Sequence, residues 1–269
     1  MNWLERLVWY FTGRRAATPT EPFPDAWLRV LESDIPFYRR LPRDQRGALL
    51  EYIQRFIAEK TFWGSRGLMV TDEMKVVIAA YACLLVLNVP QVGLYPRTRE
   101  VIVYPGEFGE TTEAVGPDGQ RYDIRSMRIG EARYRGPVLL AWGSIKGLTN
   151  KGQVRGNVII HEFAHALDSL DGLWDGTPPL ASDHRLSDWV RVFTAEYQAL
   201  LAADDRGQPT LLGSYAATNP AEFFAVASEH FFQQPRQLRK HHRELYRQLL
   251  AFYGQDPAGW AAWGWVRPG

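Results

Sequence analysis

Apolar positions fall into helical stripes over most of this chain, with short continuous apolar runs near its middle. In RGALLEYIQRFIAEK (46–60), Leu49, Ile53, Phe56 and Ile57 recur at the spacing of one helix face. TDEMKVVIAAYACLLVL (71–87) is apolar on every side from Val76 onward and reads as a core helix. Thr71 suits its cap, and Asp72 and Glu73 suit its first turn. REVIVYP (99–105) is short, β-branched and bounded by turn residues, so it is predicted as a strand, as is PVLLAWGSI (137–145). Between them GEFGETTEAVGPDG (106–119) reads as a loop or hairpin tip. After the turn LTNKGQ comes NVIIHEFAHALD (157–168), a helix ended by Gly172 and the prolines of DGLWDGTPPLAS (171–182). LSDWVRVFTAEYQALL (186–201) carries Trp189, Phe193, Tyr197 and Leu200 on one face. A long loop (203–219) leads to PAEFFAVASEHFFQQ (220–234), with Asn219 placed as cap and Pro220 as first helical residue. PRQLRKHHRELYRQLLAFYG reads as one last helix. At the other end Leu4, Leu7, Val8 and Phe11 share a face of a short amphipathic helix, and a Pro/Thr-rich linker (12–24) follows. The order of elements predicts an α+β chain, mostly helical, with a small sheet. A helical N-terminal region (1–90) is expected to pack on a core formed by 91–269.

Composition narrows the partners more than the fold. Apolar residues make up 46% and charged residues 23% of 269, as in an ordinary globular protein with a substantial core. The formal charge is +1, and the basic residues form only short clusters such as Arg39–Arg40, so a nucleic-acid partner is not expected. Glu5 and Arg6 interrupt the first apolar stretch, which argues against a signal peptide. The longest apolar run, Val76 to Leu87, is too short to span a bilayer. A single cysteine, Cys83, fits a buried thiol in a reducing compartment. The expectation is a soluble cytoplasmic protein without a membrane partner.

Chemistry enters with HEFAH. His161 and His165 are four apart and therefore stack on one helix face, the spacing of two ligands of one zinc ion. Glu162 is offset by one position. It is placed to act on a water at the metal, as the general base of the H-E-x-x-H metallopeptidase pattern. A catalytic zinc takes a third protein ligand and keeps an open position. Asp168 lies on the same face of the same helix and suits a partner to a ligand imidazole better than a ligand. Glu222 sits in the first turn of the next apolar helix, where backbone N–H groups would also satisfy it, and Glu229 is its competitor two turns on. His230 reads as a packed residue.

NVIIHEFAHALDSLDG, SYAATNPAEFFAVASEHFFQQP and PVLLAWGSI together resemble the Mlc titration factor A (MtfA) family of bacterial cytoplasmic zinc peptidases, over roughly residues 20 to 255. The resemblance implies a zincin-like domain, similar to the gluzincin-like zinc domain of anthrax lethal factor. It implies one Zn²⁺ held by His161, His165 and Glu222, with Glu162 as base and Tyr215 as hydrogen-bond donor to the developing oxyanion. It also implies aminopeptidase-type cleavage and a transcription-repressor partner. Against the peptidase stands a second expectation, a regulatory binding protein that sequesters a repressor around a structural or gating zinc.

Overall fold

The computed structural model describes residues 21–106, 113–115, 121–123, 136–145 and 156–260. The expected amphipathic helix at 4–11 and the turn LTNKGQ lie outside them. Helices α1 (Asp25–Asp34) and α2 (Arg43–Glu59) lead into strand β1 (Thr61–Gly64) and helix α3 (Asp72–Val86). Strands β2 (Glu100–Tyr104), β3 (Glu113–Val115), β4 (Arg121–Asp123) and β5 (Val138–Ala141) follow. The rest is helical: α4 (Val158–Asp168), α5 (Asp183–Asp204), α6 (Pro220–Gln233), α7 (Pro235–His241) and α8 (Arg243–Tyr253).

Helix α3 is the hub. Thr71 caps it by accepting from Met74 N–H at 3.3 Å, and Val76 to Val86 are all buried. A helix apolar all round needs neighbours on every side, and α1, α2 and α4 provide them. Among the described residues β1, β2 and β5 form a parallel sheet in the order β1-β2-β5, with Val101 opposite Val138 and Thr61 opposite Glu100. Parallel strands are covered on both faces, which is why β5 reads as VLLA without alternation and is buried throughout. β3 and β4 pair as a short antiparallel hairpin.

Three readings of the sequence change. TFWG, not foreseen as a strand, forms β1 on the N-terminal side of residue 90 and pairs with β2 beyond it. Its burial is too slight to leave an apolar pattern. PVLLAWGSI is a strand only over Val138–Ala141, and helical backbone begins at Trp142. The last helix is two helices. It breaks at His242 (φ −133°, ψ 62°), whose ring Nδ1 meets Glu196 Oε2 of α5 at 2.8 Å. The Leu245, Leu249 and Phe252 face of α8 then packs inward.

The hub fixes α4. Phe163, two positions after His161, points away from it into the core, edge-on to Tyr95 (4.8 Å between centroids) and Phe56 (5.6 Å). Tyr95 donates its hydroxyl to Ala82 O of α3 at 2.7 Å. Lys60, buried, donates to the carbonyls of Leu94 (2.6 Å) and Tyr95 (2.9 Å), and burial lowers its pKa to about 8.

Candidate metal centre

Each ligand-bearing helix starts at an asparagine. Asn157, fully buried, accepts from Ile159 N–H (3.1 Å) and Ile160 N–H (3.2 Å), which sets the first turn of α4 and the phase of His161. The other end of α4 is held by Arg97, whose Nη1 donates to Ser169 O at 2.8 Å, a cation where the helix dipole favours one. Asn219 caps α6 by accepting from Glu222 N–H at 2.9 Å, and Pro220 is its first residue. Glu222 therefore has its backbone tied to the cap. Its carboxylate is turned not to the helix end, one of the two options the sequence left, but to α4.

There three atoms converge. His161 Nε2 lies 3.2 Å from His165 Nε2 and 3.0 Å from Glu222 Oε2, and His165 Nε2 lies 3.4 Å from the same oxygen. Ligand atoms at about 2.0–2.1 Å from a tetrahedral ion sit about 3.3 Å apart. The triangle thus fits a small divalent cation, and three ligands leave one tetrahedral position for a group from outside the triangle. These three residues are a group able to hold a metal ion among the described residues. The protonation chemistry fits too. Burial works against charge on His161, but hydrogen bonds to Glu222 and Glu229 outweigh it and hold its pKa up at about 10. Burial likewise opposes the Glu222 carboxylate, and its hydrogen bonds to His161 and His165 hold it far below the usual range. A metal entering the triangle takes the place of a proton there.

The remaining candidates take distinct places. Glu162 is partly buried, and burial raises its pKa, opposed by the two imidazoles and reinforced by Glu222 and Glu229. Tyr215 lies on a 3₁₀ turn (Ser214–Ala217), 47% exposed, its ring centroid 5.9 Å from that of His161. Tyr197 of α5 pins that turn by donating to Ala217 O at 3.0 Å. His230 turns back to Val226 O of its own helix at 2.9 Å, away from the triangle.

Glu229 takes the part expected of Asp168, and Asp168 takes another. Glu229, the rival ligand, is the imidazole partner: its Oε1 lies 2.7 Å from His161 Nδ1. Asp168, expected to face an imidazole, instead accepts from Gly176 N–H at 3.1 Å and anchors the loop after α4. That loop is braced at its centre. Trp189 Nε1–H of α5 donates to Gly176 O at 3.2 Å. The loop also carries a residue that gave no signal in the sequence, Trp174, stacked on His165 with 5.4 Å between centroids and 11° between planes.

Burial lifts the pKa of Asp168 from 3.8 to about 7, only partly offset by Gly176. The folded state therefore holds this proton longer than the unfolded chain does. Its contribution is favourable at low pH and is lost as pH rises from about 4 to about 7, by at most roughly 4 kcal/mol. Asp168→Asn should remove that slope. Urea unfolding of the metal-free proteins at pH 5 and pH 8 checks it: the variant should gain on the wild type at pH 8. Parallel pH profiles would refute the assignment.

The comparisons agree with the geometry. The family described as Glucose-regulated metallo-peptidase M90 matches residues 10–254. A protein of Synechocystis sp. is 39% identical over 238 residues, spanning 88% of this chain and 86% of its own. Mlc titration factor A of Cronobacter sakazakii is 31% identical over 238 residues, 87% of each chain, and that of Escherichia fergusonii 29% over 242 residues, 89% of each. A match over nearly the whole length, with an H-E-x-x-H helix and a carboxylate meeting in one triangle, leads to one conclusion: the chain belongs to the glucose-regulated metallo-peptidase M90 family, on a mostly helical, zincin-like fold.

Proposed function

We propose that the protein is a zinc-dependent peptidase, of the aminopeptidase type that the resemblance implies. The observation that carries this reading is the His161, His165 and Glu222 triangle, with separations of 3.0 to 3.4 Å. Two neutral imidazoles and one carboxylate with an open position are the donor set of a catalytic zinc. Bound there, the ion supplies a Lewis acid for a water and for the scissile carbonyl. Glu162 takes the proton of the attacking water and passes it to the leaving amine. Its raised pKa suits a base that must later act as an acid. Tyr215 donates a hydrogen bond to the carbonyl oxygen as that oxygen gains charge. β5, at one edge of the three-stranded sheet among the described residues, offers backbone groups that can align an extended peptide.

Hydrolysis of aminoacyl chromogenic substrates and longer peptides tests the reading, with Glu162→Gln as the paired control. Turnover confined to the wild type supports a peptidase, and the substrate panel separates exo- from endopeptidase. Tyr215→Phe should lower kcat by roughly 10²–10³-fold, as loss of one oxyanion donor does elsewhere, with zinc content unchanged. Full activity in that variant would remove Tyr215 from the site.

Similarity to proteins named Mlc titration factor A favours a second reading, binding of a transcription repressor. Equal background hydrolysis by wild type and Glu162→Gln, with zinc verified, would favour that reading over the first. A cytoplasmic location belongs to both proposals. Among the described residues no helix is long and apolar enough to cross a membrane.

A further inference from the structure

His161 is gripped from both ring nitrogens by one helix. Glu222 and Glu229 are seven residues apart on α6, two turns along the same face. Glu222 Oε2 lies 3.0 Å from Nε2, and Glu229 Oε1 lies 2.7 Å from Nδ1. A carboxylate can only accept, so the ring proton facing Glu229 sits on Nδ1. In the neutral ring this leaves the Nε2 lone pair aimed at the triangle. Glu229 is only 6% exposed, in a helix that also buries Phe223, Phe224, Phe231 and Phe232.

A second observation, from a different part of the chain, concerns the room that Glu229 occupies. Gly156 immediately precedes the cap of α4. A Cβ built there would come within 2.3 Å of Glu229 Oε2 and 3.2 Å of its Cδ. The carboxylate lies against bare backbone, and only glycine leaves it that space. The start of α4 is shaped around a side chain of α6.

We propose that Glu229 is a positioning residue, which fixes the tautomer and orientation of His161 for metal binding, and that Gly156 is glycine in order to admit it. The carboxylate also makes Nε2 a better donor, because the imidazole it polarises is more electron-rich. This inference rests on the metal centre proposed above.

Zn²⁺ affinity, read by competition with a chromophoric chelator, tests it without reference to turnover. Glu229→Ala should weaken binding by roughly 10–100-fold. Glu229→Gln, which keeps an acceptor but not the charge, should fall in between. Gly156→Ala should weaken binding by displacing the carboxylate, and should add nothing in the Glu229→Ala background. Thermal unfolding of the metal-free proteins runs alongside. Lower metal-free Tm with Zn²⁺ affinity within twofold of wild type would mean a merely structural carboxylate and overturn the proposal. Full additivity of the two substitutions would overturn the role given to Gly156. If Glu229→Ala does not fold, the near-isosteric Glu229→Gln and Gly156→Ala decide by the same criteria. Failure of the wild type itself to bind one Zn²⁺ would instead overturn the metal centre.

Discussion

Glu162→Gln is expected to lower kcat by about 10²–10⁴-fold, the usual worth of a positioned general base, while metal content stays at the wild-type level. The amide has nearly the volume of the carboxylate but cannot take a proton. The ligand triangle belongs to His161, His165 and Glu222 and is left intact. Environment sharpens the expectation. A partly buried carboxylate beside two others resists ionisation, and the imidazoles of His161 and His165 pull the other way. Its raised pKa lies nearer neutrality than that of a free glutamate and matches both halves of a proton transfer. Steady-state kinetics on the best peptide substrate, with metal content measured on the same samples, checks it. An active Glu162→Gln enzyme would sink the base assignment. An inactive one that had also lost its metal would leave Glu162 a structural role.

The second large effect is on stability. Gly176→Ala is expected to lower Tm by roughly 5–15 °C. Gly176 has φ +78°, a region that costs an L-residue about 1–2 kcal/mol. A Cβ there would also lie 2.4 Å from Pro220 O and 2.9 Å from Pro220 C, which are backbone atoms that cannot rotate aside. Overpacking of this kind costs about 1–3 kcal/mol more. The position matters beyond its own turn. Gly176 gives its N–H to Asp168 on α4, takes the indole N–H of Trp189 on α5, and presses on the first residue of α6. Relief of the clash moves Pro220, and Glu222 two residues on moves with it, so the variant should also bind metal more weakly. Gly207→Ala is the control: φ is +63°, but a Cβ there meets nothing within 4 Å, so strain alone should appear. Equal Tm losses in the two variants would show that the contact with Pro220 is unimportant.

The sequence made the site more legible than its supports. His161, Glu162 and His165 follow from one helical turn, because spacing along a helix is geometry. Glu222 and Glu229 were visible as carboxylates on an apolar face, but which of them faced which ring nitrogen depends on how α6 lies across α4. Seven-residue spacing puts both on one face and says nothing of that register. Asp168 misled for a related reason. Its helical phase is that of the ligands, but a carboxylate at the end of a helix is as easily captured by the loop beyond it. Trp174 left no trace, since a lone aromatic in a glycine- and proline-rich loop has no period. Among the elements, α2 and α5 were legible from their apolar stripes, α3 from its unbroken apolar run and α6 from its Asn-Pro start. β1 was missed because four residues of an edge strand carry too little burial to show a pattern.

That edge strand bears on how the chain assembles. Thr61 pairs with Glu100, and Val101 with Val138, so each pairing in the sheet joins positions roughly 40 residues apart. No turn can bring such partners together early, and the loop-closure entropy must be met before the ladder returns anything. Local order in α3, whose every side is apolar, is available sooner. The sheet is therefore expected late in folding, and during synthesis the edge of β2 that pairs with β5 stays open until β5 has been made. Over that interval the exposed strand edges, rather than the finished metal site, are where the chain is open to aggregation.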